Sequence, residues 1–289
     1  MGGWVPPMRA GPGGFAARGV RSGFGVAPRS AGAAAAARAC RALGALLLAL
    51  LLALGGAPRA AAVPLNAANA AAMAALRASW FAGNAATLAT WVAGSDPCSG
   101  WNGISCDGGT GFVTSMGFPF QNIVGTIPSQ VGQLLHLTYL NLGNNKLTGT
   151  LPCELGALTD LRSLFVDTNS LSGTMPTEFG RLVLLTQTNF GLNFIRGTLP
   201  TELGNLKALQ SFKAGTDQFS GAIPPQLTAI STLNHLILDN NALAGTIPAC
   251  SASLYDLDLR NNGGLCGTKV AIGSGADYPT SGPRGRGDI

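Results

Sequence analysis

Two histidines and six cysteines are the side chains of this 289-residue sequence best suited to acid–base, nucleophilic or metal chemistry, and their spacing supports none of it. His136 and His235 stand about four repeat periods apart and at different positions within the repeat, so no Ser/His/Asp or Cys/His arrangement forms around either. No His/Cys cluster has ligand spacing, and the Gly-rich stretches lack the Gly-Lys-Ser/Thr ending of a phosphate loop. Asp256 and Asp258 alternate on one short apolar segment, where solvated charges protecting a sheet edge are expected rather than an acid/base pair. The expectation is a chain without catalytic residues, cofactor or metal. Recognition chemistry remains, carried by aromatic and amide side chains that recur at a fixed interval.

That interval belongs to a repeat. Gly-x-[Ile/Leu/Met]-Pro recurs at Gly125 to Pro128, Gly149 to Pro152, Gly173 to Pro176, Gly197 to Pro200, Gly221 to Pro224 and Gly245 to Pro248, every step being 24 residues. Ahead of each comes an alternating pair and a polar residue, as in Leu140, Leu142 and Asn145, or Leu164, Val166 and Asn169. Alternation of this kind suits a short strand with one buried face, which turns Tyr139, Asn141 and Gly143 outward. Asn145, Asn169, Asn193 and Asn241 fall one period or two apart and stack as a ladder whose amides satisfy turn backbone. Unpaired groups there would cost about 1–3 kcal/mol each. Gly and Pro turn the chain, and Leu155, Leu158 and Leu161 return it along the other side in loose helical spacing. One coil cannot bury its own apolar face, so stability comes from stacking several.

From Leu137 to Leu158 the sequence matches Leu-x-x-Leu-x-Leu-x-x-Asn-x-Leu-x-Gly-x-Ile-Pro-x-x-Leu-Gly-x-Leu almost position by position, Leu151 standing for Ile. The chain thereby resembles the plant-type extracellular leucine-rich repeats of receptor-like kinases, receptor-like proteins and polygalacturonase-inhibiting proteins. The resemblance implies an α/β solenoid with a parallel concave sheet, an irregular or 3-10 convex side and a helical amino-terminal cap, binding a protein, peptide or glycan on the concave face. Gln121 and Asp217 depart from the pattern at the ladder position, and Thr188 and Ala214 at strand leucines.

Around the array the chain divides into a leader over 1–62, a cap over 63–111, about six repeats over 112–268 and a disordered tail over 269–289. The leader holds seven arginines and no acid. Of the 18 basic side chains, 11 therefore remain against 13 acids, so the net charge of +5 is the leader's and does not argue for nucleic-acid binding. Its apolar stretch from Ala42 to Leu54, followed by Ala60 to Ala62, reads as a secretory signal, giving a secreted or cell-surface protein. The long basic arm leaves open an uncleaved anchor, a two-part organelle leader or a misassigned start. Beyond Lys269 there is no apolar run and no kinase motif.

Met73, Leu76 and Trp80 share one helical face, expected to cap the open end of the array. The segment Cys98-Ser-Gly-Trp101-Asn-Gly-Ile-Ser-Cys106 resembles the plant-type cap, which implies a Cys98–Cys106 disulfide worth about 2–3 kcal/mol. Asn262-Gly-Gly-Leu-Cys266-Gly resembles the ending of such arrays, and Cys250 is the candidate partner of Cys266, with connectivity open. Cys153 is expected to be a free thiol.

Reading rows across the concave strands gives the candidate ligand-binding set: Tyr139, Asn141, Phe165, Asp167, Gln187, Asn189, Lys213, His235 and Asp239. The aromatic and amide members suit a peptide backbone or a sugar face. Two roles follow from the resemblance. One is a recognition module, with a membrane co-receptor among its partners; the other is a secreted inhibitor of a cell-wall hydrolase, disfavoured by the few charges on this face.

Overall fold

From Tyr139 onward a three-residue strand centres on the first residue of each alternating pair, and the 24-residue period, cut to 21 at the last step, stacks the strands in register. The computed structural model describes residues 65–80, 88–91, 97–99, 101–108 and 110–266; the leader and tail readings lie outside them. After helix α1 (Leu65–Trp80) come β1 (Ile104–Cys106), β2 (Val113–Gly117), β4 (Tyr139–Asn141), β6 (Ser163–Phe165), β8 (Gln187–Asn189), β10 (Ser211–Lys213), β12 (His235–Ile237) and β14 (Asp256–Asp258), which form one eight-stranded sheet in that order. Only the β1–β2 pair is antiparallel; from β2 onward neighbours are parallel. The central residue of each repeat strand, Leu140, Leu164, Thr188, Phe212, Leu236 and Leu257, points into one continuous core.

A second sheet was not anticipated. The stretch read from sequence as a turn forms β7 (Ser172–Thr174), β9 (Phe194–Gly197), β11 (Gln218–Gly221), β13 (Ala242–Thr246) and β15 (Gly264–Cys266), with β3 (Val124–Thr126) and β5 (Lys146–Thr148) as a separate pair. The reason is a second alternation: Leu147, Leu171, Ile195, Phe219 and Leu243 are buried between exposed or half-buried neighbours. Each of these strands, from β5 to β13, contains or precedes the repeat glycine, at φ 80° in Gly149 and 95° in Gly245, a left-handed backbone that a side chain strains. The next proline opens the third side, 3-10 turns at Cys153–Ala157, Thr177–Arg181 and Thr201–Asn205. In the last full coil the short helix α2 (Pro225–Thr228) takes their place. A Cβ on Gly156 would lie 2.4 Å from the Glu178 backbone oxygen of the next coil, so glycine here sets how closely coils pack.

The ladder forms as the spacing implied. Asn169 Nδ2 donates to the carbonyls of Leu142 (2.9 Å), Val166 (3.1 Å) and Asp167 (3.1 Å), and its Oδ1 accepts from Leu147 N at 2.9 Å. Asn145, Asn193 and Asn241 repeat the pattern, and Asn262 continues it after the shortened step. Each side chain thus ties its own coil to the preceding one.

The cap closes one end of the core. Met73, Leu76 and Trp80 are fully buried, and Trp80 Nε1 donates to Thr126 O at 2.8 Å. Trp91 stacks on Trp101 with centroids 4.8 Å apart and meets the edge of Phe118 at 5.2 Å. Cys98 and Cys106 form the disulfide expected of the cap. Two cysteine expectations fail. Cys153 is disulfide-bonded rather than free, its partner lying outside the described residues. Cys250 and Cys266 are free thiols: β15 pairs Cys266 with Thr246, short of Cys250, and each sulfur turns to a different carbonyl, Cys250 to Pro248 O and Cys266 to Gly245 O, both at 3.6 Å.

Three outcomes follow. Thr188 sits at a leucine position with its Oγ1 buried and unpartnered; Thr188→Val should raise stability in urea by about 1–2 kcal/mol by removing that hydroxyl. Gly156→Ala, blocked by backbone, should lower it by about 1–3 kcal/mol. Among the described cysteines two thiols should react with iodoacetamide in the native protein, exposed Cys266 first and Cys250 more slowly, because burial pushes the Cys250 thiol up.

Candidate functional site

The outward residues of the eight-stranded sheet form three rows. Register aligns Tyr139, Ser163, Gln187, Ser211, His235 and Asp256 in the first, and Asn141, Phe165, Asn189, Lys213, Ile237 and Asp258 in the second. Just past the strands lie Gly143, Asp167, Gly191, Gly215, Asp239 and Arg260 in the third. All nine residues assigned from sequence therefore sit on this face or at its rim. At about 4.8 Å per strand the rows from β4 to β14 span about 24 Å, the length of roughly seven extended residues.

Two zones differ in chemistry. At the amino-terminal end Tyr139 and Phe165 are half-buried, their rings 6.0 Å apart. Asn141 Nδ2 donates to Tyr139 Oη at 2.9 Å, and Asn141 Oδ1 accepts from Gly143 N at 3.0 Å. Both ends of the amide are thus held, giving an aromatic–amide platform suited to a peptide bond. Asn189 is held the same way, its Oδ1 accepting from Gly191 N at 3.1 Å. Gln187 is exposed and extends this polar strip. Burial raises the carboxyl of Asp167, opposed by the backbone, the Thr168 hydroxyl and the Lys213 charge.

The carboxy-terminal end is ionic. His235 Nδ1 lies 2.9 Å from Asp256 Oδ2, and its Nε2 lies 2.8 Å from Tyr255 Oη, with the two rings edge to face at 4.7 Å. The partner of His235 is Asp256, because the shortened last repeat brings that residue directly opposite in register. Asp239 instead takes Asn240 Nδ2. Asp258 is not simply solvated: Arg260 Nε grips its two oxygens at 2.9 and 3.0 Å, and this hydrogen bond holds the Asp258 carboxyl low. Tyr255 and Arg260 were missed, although the 21-residue step from His235 to Asp256 is the signal that finds them. Between the zones Gly191 and Gly215 make a low floor; a Cβ on Gly215 would strike Asp239 Oδ1 at 2.1 Å. Among the described residues no group of three His, Cys, Asp or Glu side chains is placed to hold a metal ion.

A solenoid with an asparagine ladder, a flank of Gly-x-[Ile/Leu]-Pro turns and an open concave sheet is a leucine-rich repeat protein. Residues 67–107 match the model of the leucine rich repeat N-terminal domain, and residues 136–158 match that of the Leucine Rich Repeat. The crystal structure of a Pollen Receptor Kinase 3 is 32% identical, with a TM-score of 0.60 over 69% of this chain and 97% of that one. The leucine-rich repeat ectodomain of the receptor kinase SOBIR1 from Arabidopsis thaliana is 25% identical, with a TM-score of 0.52 over 61% and 95%. PEPR1, solved with AtPEP1, is 26% identical, with a TM-score of 0.54 over 68% of this chain and 32% of that one, so this chain spans about a third of its length. Among curated proteins none matches the chain by sequence. The chain belongs to the plant-type extracellular leucine-rich repeat family with its characteristic amino-terminal cap.

Proposed function

We propose that the protein is a non-enzymatic recognition module that works outside the cell and binds an extended peptide or protein segment across the concave rows. The observation that carries this reading is the Tyr139–Asn141–Phe165 platform, in which an amide held by the Tyr139 hydroxyl and the Gly143 N–H accompanies two half-buried aromatic rings at one end of an open polar trough. Support comes from PEPR1, similar in fold and solved with AtPEP1. An extended ligand running across the strands sets its backbone on the platform, passes the Gly191–Gly215 floor and reaches the charged end at Lys213, His235, Asp239 and Asp256. A second partner, such as a membrane co-receptor, has the flanks of the solenoid left to it. A face of this length can bury about 800 Å² per side, enough for specific binding when a few aromatic anchors dominate.

The test is a random peptide library panned on the wild-type ectodomain and on the triple variant Tyr139→Ala, Phe165→Ala, Lys213→Ala. Wild type should enrich a consensus whose affinity falls by at least about 100-fold in the variant, the scale expected for losing interface anchors, with the thermal melt unchanged. Enrichment of the same peptides by both proteins would remove the concave face from the assignment.

A further inference from the structure

One rung of the ladder lacks the atom its place requires. In Asn145, Asn169, Asn193 and Asn241, Oδ1 accepts a backbone amide of the preceding coil, while Nδ2 donates to carbonyls 27, 3 and 2 positions earlier. The rung between Asn193 and Asn241 is Asp217. Its Oδ1 does the accepting half, taking Ile195 N at 3.1 Å. Its Oδ2 stands where the others carry an NH2, is buried, and has no partner. By the same register the carbonyls of Phe190, Ala214 and Gly215 are the acceptors that this position serves. A bare carboxylate oxygen offers them only repulsion; a carboxylic O–H donates one hydrogen bond where the amide donates two.

We propose that Asp217 is a proton-operated rung: with a proton on Oδ2 it ties the coil of β8 and β9 to that of β10 and β11, and without one it opens the ladder directly beneath Asn189, Lys213 and Asp239. The surrounding elements leave the titration to this residue. Strands β8, β11 and β13 bring no titratable side chain. Arg196 on β9 and Lys213 on β10 are exposed, and Asp239 beyond β12 is engaged by Asn240. Burial moves the Asp217 carboxyl from 3.8 up to about 8, opposed by the backbone amides of Ile195 and Asn193. Because the folded state holds the proton more tightly than the unfolded chain, the rung contributes fully below 3.8. Its contribution is lost progressively as pH rises to about 8 and changes no further above that. The array is therefore tightest in an acidic medium.

The test compares wild type with Asp217→Asn, which installs the side chain used by the other rungs. Near pH 4 the two should have similar folding equilibrium constants, and by pH 9 the variant's should exceed wild type's by at least about 100-fold, well inside the roughly 10,000-fold allowed by a shift of this size. Hydrogen exchange, corrected for its intrinsic pH dependence, should show the amides of Phe190 and Ala214 losing protection in wild type above pH 8 and keeping it in the variant. Parallel stability curves from pH 4 to pH 9, or equal protection at those amides, would overturn the proposal.

Discussion

Most coils of this solenoid depend on a ladder asparagine satisfying backbone that the strand and the turn leave unpaired. A tight turn after a three-residue strand turns carbonyls inward, where each unpaired group would cost about 1–3 kcal/mol. A single amide offers two donors and an acceptor, and in Asn169 both halves are used, joining its own coil to the preceding one. The apolar side chains fill the space between, but they are not directional. The rungs hold the turn geometry, and with it the register that lines the concave residues into rows.

The platform at Tyr139 and Phe165 follows from that register. Neither residue is remarkable within its own coil, and they meet because Asn141 and Phe165 are paired neighbours one period apart. Where the period shortens, the site changes character: the last coil brings Asp256 to His235 and places Tyr255 on the other ring nitrogen. Glycines contribute by absence, as at Gly215, where a side chain would occupy the place of the Asp239 carboxylate.

Most of the architecture was legible in the sequence because a repeat states the same rule several times. The strands, the ladder, the helical cap with Met73, Leu76 and Trp80, and the Cys98–Cys106 bridge all follow from local pattern or resemblance. The flanking sheet was not read, since its strands end at the Gly-x-[Ile/Leu]-Pro turns and the alternation around Leu147 or Leu171 was taken for part of them. Sulfur pairing was the weakest reading. Cys250 and Cys266 lie near one another in the register, yet bonding needs matched side-chain directions, which spacing does not supply.

The sequence alone determined the period, the buried face of each strand and which residue types stand in the concave rows, because burial and alternation are local constraints repeated along the chain. The tertiary structure decided which residues from neighbouring coils touch: His235 with Asp256, Tyr139 with Phe165, and Asp217 with one oxygen satisfied and the other orphaned. Those pairings depend on how coils advance past one another. That advance is set by close packing at glycines such as Gly156 and by a ladder whose rungs act only once their neighbours are in place.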